Sequence, residues 1–405
     1  MRGHTKWLLS LLVIAQVVFI VLPAAQARGF RAKNIIFMVP DGMGLANVTA
    51  VRTFKCGPDG SLFFETLPQI GYQKTHAKDS TVTDSAAAAS AWASGEKYNN
   101  GEISCHDDDF NGVCDSTPVP TVLEIAKRLG KATGLVVTSD ITHATPAAFG
   151  AHVHNRKCEE EIARQYINVT GVEVLLGGSI AANRSSCRLS HSTGDWLDGL
   201  LADATAQGYA LVNTEIGMNR AVEGGVDKIL GLFKNGGKSP ENFLVDSTIP
   251  YPESEPTLAE MTSAALAVLE KNRKGFFLLV EGSQIDWANH GNRFYPVDSS
   301  QNSQLGEMLA FDAAVEVVLD WINEMPARRA STLVIVVPDH ETGGFAIDGP
   351  EGELARAGGI IQTGWTSTNH TAVDTLIWSQ GPGSRALGKA LDNTELYEVM
   401  KKVLK

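Results

Sequence analysis

Five short runs in this chain are largely apolar without alternation: Asn34–Pro40, Ala132–Ser139, Phe276–Glu281, Thr332–Pro338 and Thr375–Trp378. An alternating run would form a strand with one wet face, whereas continuous aliphatic and β-branched residues form strands buried on both faces. A parallel sheet between two layers of helices buries both. Helical patterns fall between the runs, at Ser85–Ser94, Pro120–Leu129, Glu159–Asn168, Thr257–Lys271 and Ser303–Met325. The chain therefore reads as α/β, with a large central, mostly parallel sheet flanked by helices on both faces.

The chain has 405 residues, of which 43% are hydrophobic and 20% charged, a length that buries a large core. No repeat, Pro-rich linker or low-complexity tract divides it. The polar, Gly-rich stretch from Ser185 to Glu255 carries no recognisable motif and reads as peripheral structure on the same body. The N-terminus has a basic start, Met1-Arg-Gly-His-Thr-Lys6, an apolar run from Trp7 to Leu22 and a small-residue site at Pro23-Ala-Ala-Gln-Ala27. Residues 1–27 are thus expected to be a cleaved signal peptide and residues 28–405 one domain, periplasmic or secreted. The alternative is an uncleaved anchor, since the run approaches the ~20 residues that span a bilayer. No other stretch is long and apolar enough, so no membrane association is expected after cleavage.

With 34 Lys and Arg against 46 Asp and Glu, the formal charge is -12, which argues against a nucleic-acid partner. An oxidising destination would let cysteines pair. Five is an odd number, so at least one of Cys56, Cys105, Cys114, Cys158 and Cys187 is left over. Cys105 with Cys114 would pin a short polar loop, Cys158 with Cys187 is the next pair to consider, and Cys56 remains; the connectivity stays open.

Ligands of open α/β sheets sit beyond the carboxyl ends of the strands. Three of the runs end there in acidic groups: Asp41, Glu281, and Asp339 with His340 beside it. Singly, each could be a helix cap or a solvated loop residue. Together they point to a shared site. Asp286 and His290 stand four apart and share a face if a helix follows Glu281, giving half of a zinc site; a surface ion pair is the alternative. His340 and His370 could likewise be ordinary loop histidines, but each falls beside a carboxylate or a strand, and metal binding explains all of them.

Ser85 begins an Ala-rich helical pattern that ends at Gly95. First-turn N–H groups and the helix dipole would stabilise an anion there, although Asp84 or Ser85 could be no more than an N-cap. No Gly-x-Ser-x-Gly elbow is present, so a Ser-His-Asp hydrolase finds little support. A serine without a dedicated base needs a metal to activate it.

Seven segments taken in order, Val-Pro-Asp41-Gly-Met-Gly, Thr-Asp84-Ser85-Ala-Ala, His143-Ala-Thr145-Pro-Ala, Arg156-Lys-Cys158, Glu281-Gly-Ser-Gln-Ile-Asp286, Asp339-His340-Glu-Thr-Gly-Gly and His370-Thr, resemble the motifs of the alkaline phosphatase family over essentially the whole mature chain. The resemblance implies that Asp286, His290 and His370 hold one zinc, and that Asp41, Asp339 and His340 hold a second, which activates Ser85. Glu281 and Thr145, with Asp41 shared, would form a third site, usually magnesium. Arg156, oriented by Asp84, would grip the phosphate. The substrates would be small phosphate monoesters, hydrolysed through a phosphoserine, and the expected assembly is a homodimer.

Two positions depart from many bacterial members of that family. His143 stands where they have Asp, and Trp287 where some have a Lys near the phosphate. An imidazole favours zinc or cobalt over magnesium, which puts the third metal in question. The span from His340 to His370 is short, so a compact, bacterial-type enzyme is expected. A phosphodiesterase or sulfatase with the same two-metal core, or a secreted binding protein without turnover, are the alternatives.

Overall fold

The computed structural model describes residues 31–109, 111–180, 196–234, 255–296 and 301–405. The expected signal segment, Cys187 and part of the Ser185–Glu255 stretch lie outside the described residues. The strands are β1 (Asn34–Pro40), β2 (Gln69–Lys74), β3 (Ala132–Asp140), β4 (Val174–Gly178), β5 (Ala210–Val212), β6 (Ile229–Leu232) and β7 (Phe276–Gly282). They continue with β8 (Thr332–Val336), β9 (Glu341–Thr342), β10 (Phe345–Gly349), β11 (Gln362–Trp365), β12 (His370–Thr371), β13 (Thr375–Gln380) and β14 (Ala390–Asp392). Ten of them form one sheet in the order β14-β2-β13-β8-β1-β7-β3-β4-β6-β5. Only β13 runs antiparallel to its neighbours. The pairs β10-β11 and β12-β9 are separate two-stranded ribbons.

Strand β1 lies between β7 and β8, and all seven of its residues are buried. Its side chains divide between the two faces of the sheet, as a period of two requires. Ile35, Phe37 and Val39 join one core, while Ile36 and Met38 join the other. The first core is covered by α2 (Ser85–Ser94), α4 (Ala144–Gly150) and the C-terminal helix Glu395–Leu404, among others. The second is covered by helices Leu45–Cys56, Leu258–Leu269 and Gln304–Asn323. The expected mostly parallel sheet with helices on both faces is the observed fold.

Helix boundaries follow local chemistry. Thr121 and Glu124 form a reciprocal capping box, so the helix expected from Pro120 starts at Val122. Thr257 and Glu260 do the same for Leu258–Leu269. The helix beginning at Glu159 ends at Gln165 and runs on as a π turn over Tyr166–Thr170. All ten residues of α2 are buried, and its alanines allow α4, itself rich in Ala, to pack close against it.

Cys105 and Cys114 form a disulfide, Cys158 is disulfide-bonded and Cys56 is free and exposed. Among the described residues, no helix is long and apolar enough to cross a membrane.

Candidate active site

The carboxyl ends of β1, β7 and β8 bring the expected acidic groups together. The β1–β7 register sets Val39 opposite Glu281 and Pro40 opposite Gly282, so Asp41 emerges beside Glu281. On the other side of β1, the chain leaving β8 carries Asp339 and His340. Asp41, Glu281, Asp339 and His340 are all fully buried.

Asp286 and His290 lie in the short helix Gln284–His290 and meet His370 of β12. Asp286 Oδ2 is 3.3 Å from His290 Nε2, and Asp286 Oδ1 is 3.5 Å from His370 Nε2. Each imidazole is oriented from behind by a backbone carbonyl: His290 Nδ1 is 2.5 Å from Thr368 O and His370 Nδ1 is 2.9 Å from Thr83 O. A carbonyl only accepts, so Nδ1 carries the hydrogen in both rings. Their Nε2 atoms then face each other at 3.1 Å, an arrangement suited to a shared cation.

Asp41, Asp339 and His340 form a second group. Asp339 Oδ1 accepts from the amides of Gly42 (3.1 Å) and His340 (2.9 Å). Its Oδ2 is 3.1 Å from His340 Nε2. Neither carboxylate oxygen of Asp41 accepts a hydrogen bond. Gly42 makes the two groups compatible, because it has φ +75° and a Cβ there would lie 2.8 Å from Asp286 Cα.

Ser85 is the first residue of α2, and its Oγ is 3.3 Å from His340 Nε2. Asp84 is the N-cap, accepting from Ala87 N through Oδ1 at 2.9 Å. Its other oxygen holds Arg156 Nη1 at 2.9 Å, so one carboxylate fixes both the helix start and the guanidinium. Arg156 Nη2 donates to His143 Nε2 at 3.0 Å.

His143 also belongs to a third group with Asp41 and Glu281. Both Glu281 oxygens and Thr145 Oγ1 are buried without a hydrogen-bond partner, and the Trp287 ring stands edge-on to His143 at 6.1 Å. The structure therefore brings together every residue singled out at the strand ends. Among the links it adds that the sequence did not offer is the bond from Arg156 to His143.

The electrostatics ask for positive charge. Burial, followed by the charges of Asp339, Asp286 and Glu281, raises the pKa of Asp41 well above the usual carboxylate range. Burial above all pushes Glu281 up to about 7. His290 is pushed up to about 9, chiefly by its bond to Asp286. Four buried carboxylates crowded together destabilise one another unless cations neutralise them.

A family model described as alkaline phosphatase matches residues 32–358. The chain belongs to the alkaline phosphatase family. Alkaline phosphatase 3 of Bacillus subtilis is 31% identical, with 100% of this chain and 98% of that protein covered. Alkaline phosphatase of Escherichia coli is 33% identical over 92% of this chain and 86% of its own length. The solved structure of alkaline phosphatase from the Antarctic bacterium TAB5 has 30% identity and a TM-score of 0.72, covering 93% of this chain and 98% of that one. A variant of the TAB5 enzyme with Asp in place of a His, described as having Mg bound in its M3 site, has 28% identity and a TM-score of 0.73 over the same shares. As a member of the alkaline phosphatases, the chain is a phosphoric monoester hydrolase.

Around this alkaline phosphatase site stand residues to which the sequence assigned no role. Gln73 of β2 is fully buried, donates to Pro338 O (2.8 Å) just ahead of Asp339, and accepts from Trp92 Nε1 (2.8 Å) of α2. Thr342 contacts both Asp286 and His340. Its place in Asp339-His340-Glu-Thr-Gly-Gly was the only available signal. A further acidic group, Asp107, Asp109 and Asp115, lies around the disulfide loop, but Asp107 is already satisfied by the amides of Asn111 and Gly112.

Proposed function

We propose that this alkaline phosphatase works in two displacements through a phosphoserine on Ser85, with two zinc ions and a third metal that is magnesium or, in its place, zinc or cobalt. One relationship supports the reading most. Ser85 Oγ lies at the N-terminus of α2 and 3.3 Å from His340 Nε2, which itself stands 3.7 Å from a buried Asp41 oxygen that accepts no hydrogen bond.

Asp286, His290 and His370 would hold one zinc, and Asp41, Asp339 and His340 the other; such mixed nitrogen and oxygen donor sets suit zinc. Glu281 and Thr145, with Asp41 shared, would hold the third ion. When bound, the metals neutralise the transferring phosphoryl group, lower the pKa of the serine hydroxyl and supply an activated water. Arg156, anchored by Asp84, turns its guanidinium toward two phosphate oxygens. The first-turn amides of α2 add partial positive charge. Ser85 Oγ forms the bond to phosphorus as the alcohol oxygen leaves; water then cleaves that bond, returning Ser85 and releasing phosphate. Trp287 would wall the substrate side, where a flexible cation would otherwise stand.

At the third site, His143 brings a nitrogen beside Asp41 and Glu281, which supports zinc or cobalt there. The TAB5 variant that carries Asp and is described with Mg in its M3 site supports the converse. Residues 1–27 are proposed to be removed on export and residues 28–405 to act as one homodimeric domain in the periplasm or outside the cell. The Cys105–Cys114 disulfide suits such a compartment. The deciding experiment measures metal content of the purified protein with turnover of a monoester, a diester and a sulfate ester, before and after chelation. Monoester hydrolysis that disappears with the zinc is the expected result; faster turnover of the diester or the sulfate ester would reassign the substrate class.

A further inference from the structure

Thr342 is fully buried, and its backbone is held on two sides. Its amide donates to Gly42 O at 3.1 Å, and it pairs with His370 across the β9–β12 ribbon. The hydroxyl is thereby aimed at both Asp/His groups: Oγ1 is 2.6 Å from Asp286 Oδ1 and 3.2 Å from His340 Nδ1.

A hydroxyl has one proton and two lone pairs. Toward Asp286 it must donate, because a carboxylate serving as a metal ligand is ionised and a separation of 2.6 Å is that of an O–H donating to a charged oxygen. The proton is then committed. Toward His340 the same oxygen can only accept, so His340 Nδ1 carries the hydrogen and Nε2 the lone pair. That lone pair faces Asp339 Oδ2 at 3.1 Å, Ser85 Oγ at 3.3 Å and Asp41 Oδ1 at 3.7 Å.

We infer that Thr342 is a positioning residue that couples the two metal groups, orienting the Asp286 carboxylate of one and fixing the His340 tautomer of the other through a single hydroxyl. The inference rests on the two-metal reading and deepens it, since one hydroxyl group, donating to Asp286 and accepting from His340, links ligands of both ions. Partners that orient metal ligands in this way typically account for about 10–100-fold in affinity.

The test compares wild type, Thr342→Val and Thr342→Ser as purified full-length, zinc-loaded protein. Valine keeps the volume and removes the hydroxyl; serine keeps the hydroxyl. Competition with a chromophoric chelator should show both stepwise zinc dissociation constants raised about 10–100-fold in Thr342→Val and restored by Thr342→Ser. Proton NMR with nitrogen-15-labelled histidine should show a slowly exchanging His340 Nδ1–H in wild type and Thr342→Ser, lost to rapid exchange in Thr342→Val. Weakening of only one zinc would overturn the coupling, and a serine variant that behaves like valine would show that the methyl group matters and the hydroxyl does not. Normal zinc binding in wild type and Thr342→Val alike would sink this inference alone. Zinc missing from the wild type would instead sink the two-metal reading beneath it.

Discussion

His290 and His370 bring their Nε2 atoms to 3.1 Å while Thr368 O and Thr83 O hold the opposite ring nitrogens. Two lone pairs at that distance repel unless a cation or a proton lies between them. Zinc that binds the folded site and not the unfolded chain adds to stability, so its removal should cost stability as well as activity, and a chelated sample should melt lower than the zinc-loaded protein in a calorimetric scan. His370→Ala and His340→Ala should each release about one zinc, because a three-ligand site loses a third of its donors. Elemental analysis of both variants checks this, and unchanged zinc in both would make the two histidines structural.

Ser85→Ala should lower monoester turnover by more than about a hundredfold, the scale seen when a group acting in the transition state is removed. Zinc content and phosphate binding should persist, since the Asp/His groups and Arg156 are untouched. Some activity can remain through direct attack by water. Turnover close to wild type, measured at saturating substrate, would remove Ser85 from the role of nucleophile.

His143→Asp should move the third ion toward magnesium. The change replaces an imidazole beside Asp41 and Glu281 with a carboxylate, and magnesium selects oxygen donors and water. Asp can still receive Arg156, so the anchor for phosphate should hold. Titration of magnesium, cobalt and additional zinc into both proteins, each already carrying two zinc ions, reads the order of preference. An identical order in the two would free His143 of any part in selectivity.

Gly42→Ala should be costly out of proportion to its one added methyl. The left-handed φ of +75° costs a non-glycine residue about 1–2 kcal/mol, and the new Cβ would press on the backbone of Asp286. Chemical denaturation of the metal-free protein should show a loss of at least this size. Zinc held by Asp286, His290 and His370 should weaken as well, which equilibrium dialysis measures.

The strands legible in the sequence were those buried on both faces, such as Phe276–Gly282, where every residue lies inside. Strand β2 was not, because Ile70, Tyr72 and Lys74 are exposed along it and its neighbours, rather than its own hydrophobicity, hold it in the sheet. β5 and β6 escaped for a different reason: at three and four residues, the two outermost strands on that side of the sheet, they are too short to carry a pattern. Asp41, Glu281 and Asp339 were legible as candidates because strand ends converge in any parallel sheet, whatever the register. Thr342 and Gln73 were not, since a hydroxyl or an amide takes its meaning from partners far along the chain. The bond from Arg156 to His143 is of the same kind: nothing in either residue's local sequence announces the other.

The placement of β1 between β7 and β8 also bears on how the molecule is made. Synthesis runs from the N-terminus, so the strand at the middle of the sheet is the earliest of the described strands to appear, and it must wait for both of its neighbours. Until then its apolar residues and two open edges are a standing invitation to aggregation. Nor can a metal ion shelter it, because Asp41 meets Asp339 and His340 only when the chain is nearly complete, and His370 comes later still. A partly synthesised chain would therefore carry this strand unpaired until β7 and β8 arrive, with the gathering of the Asp/His groups as the closing event of folding.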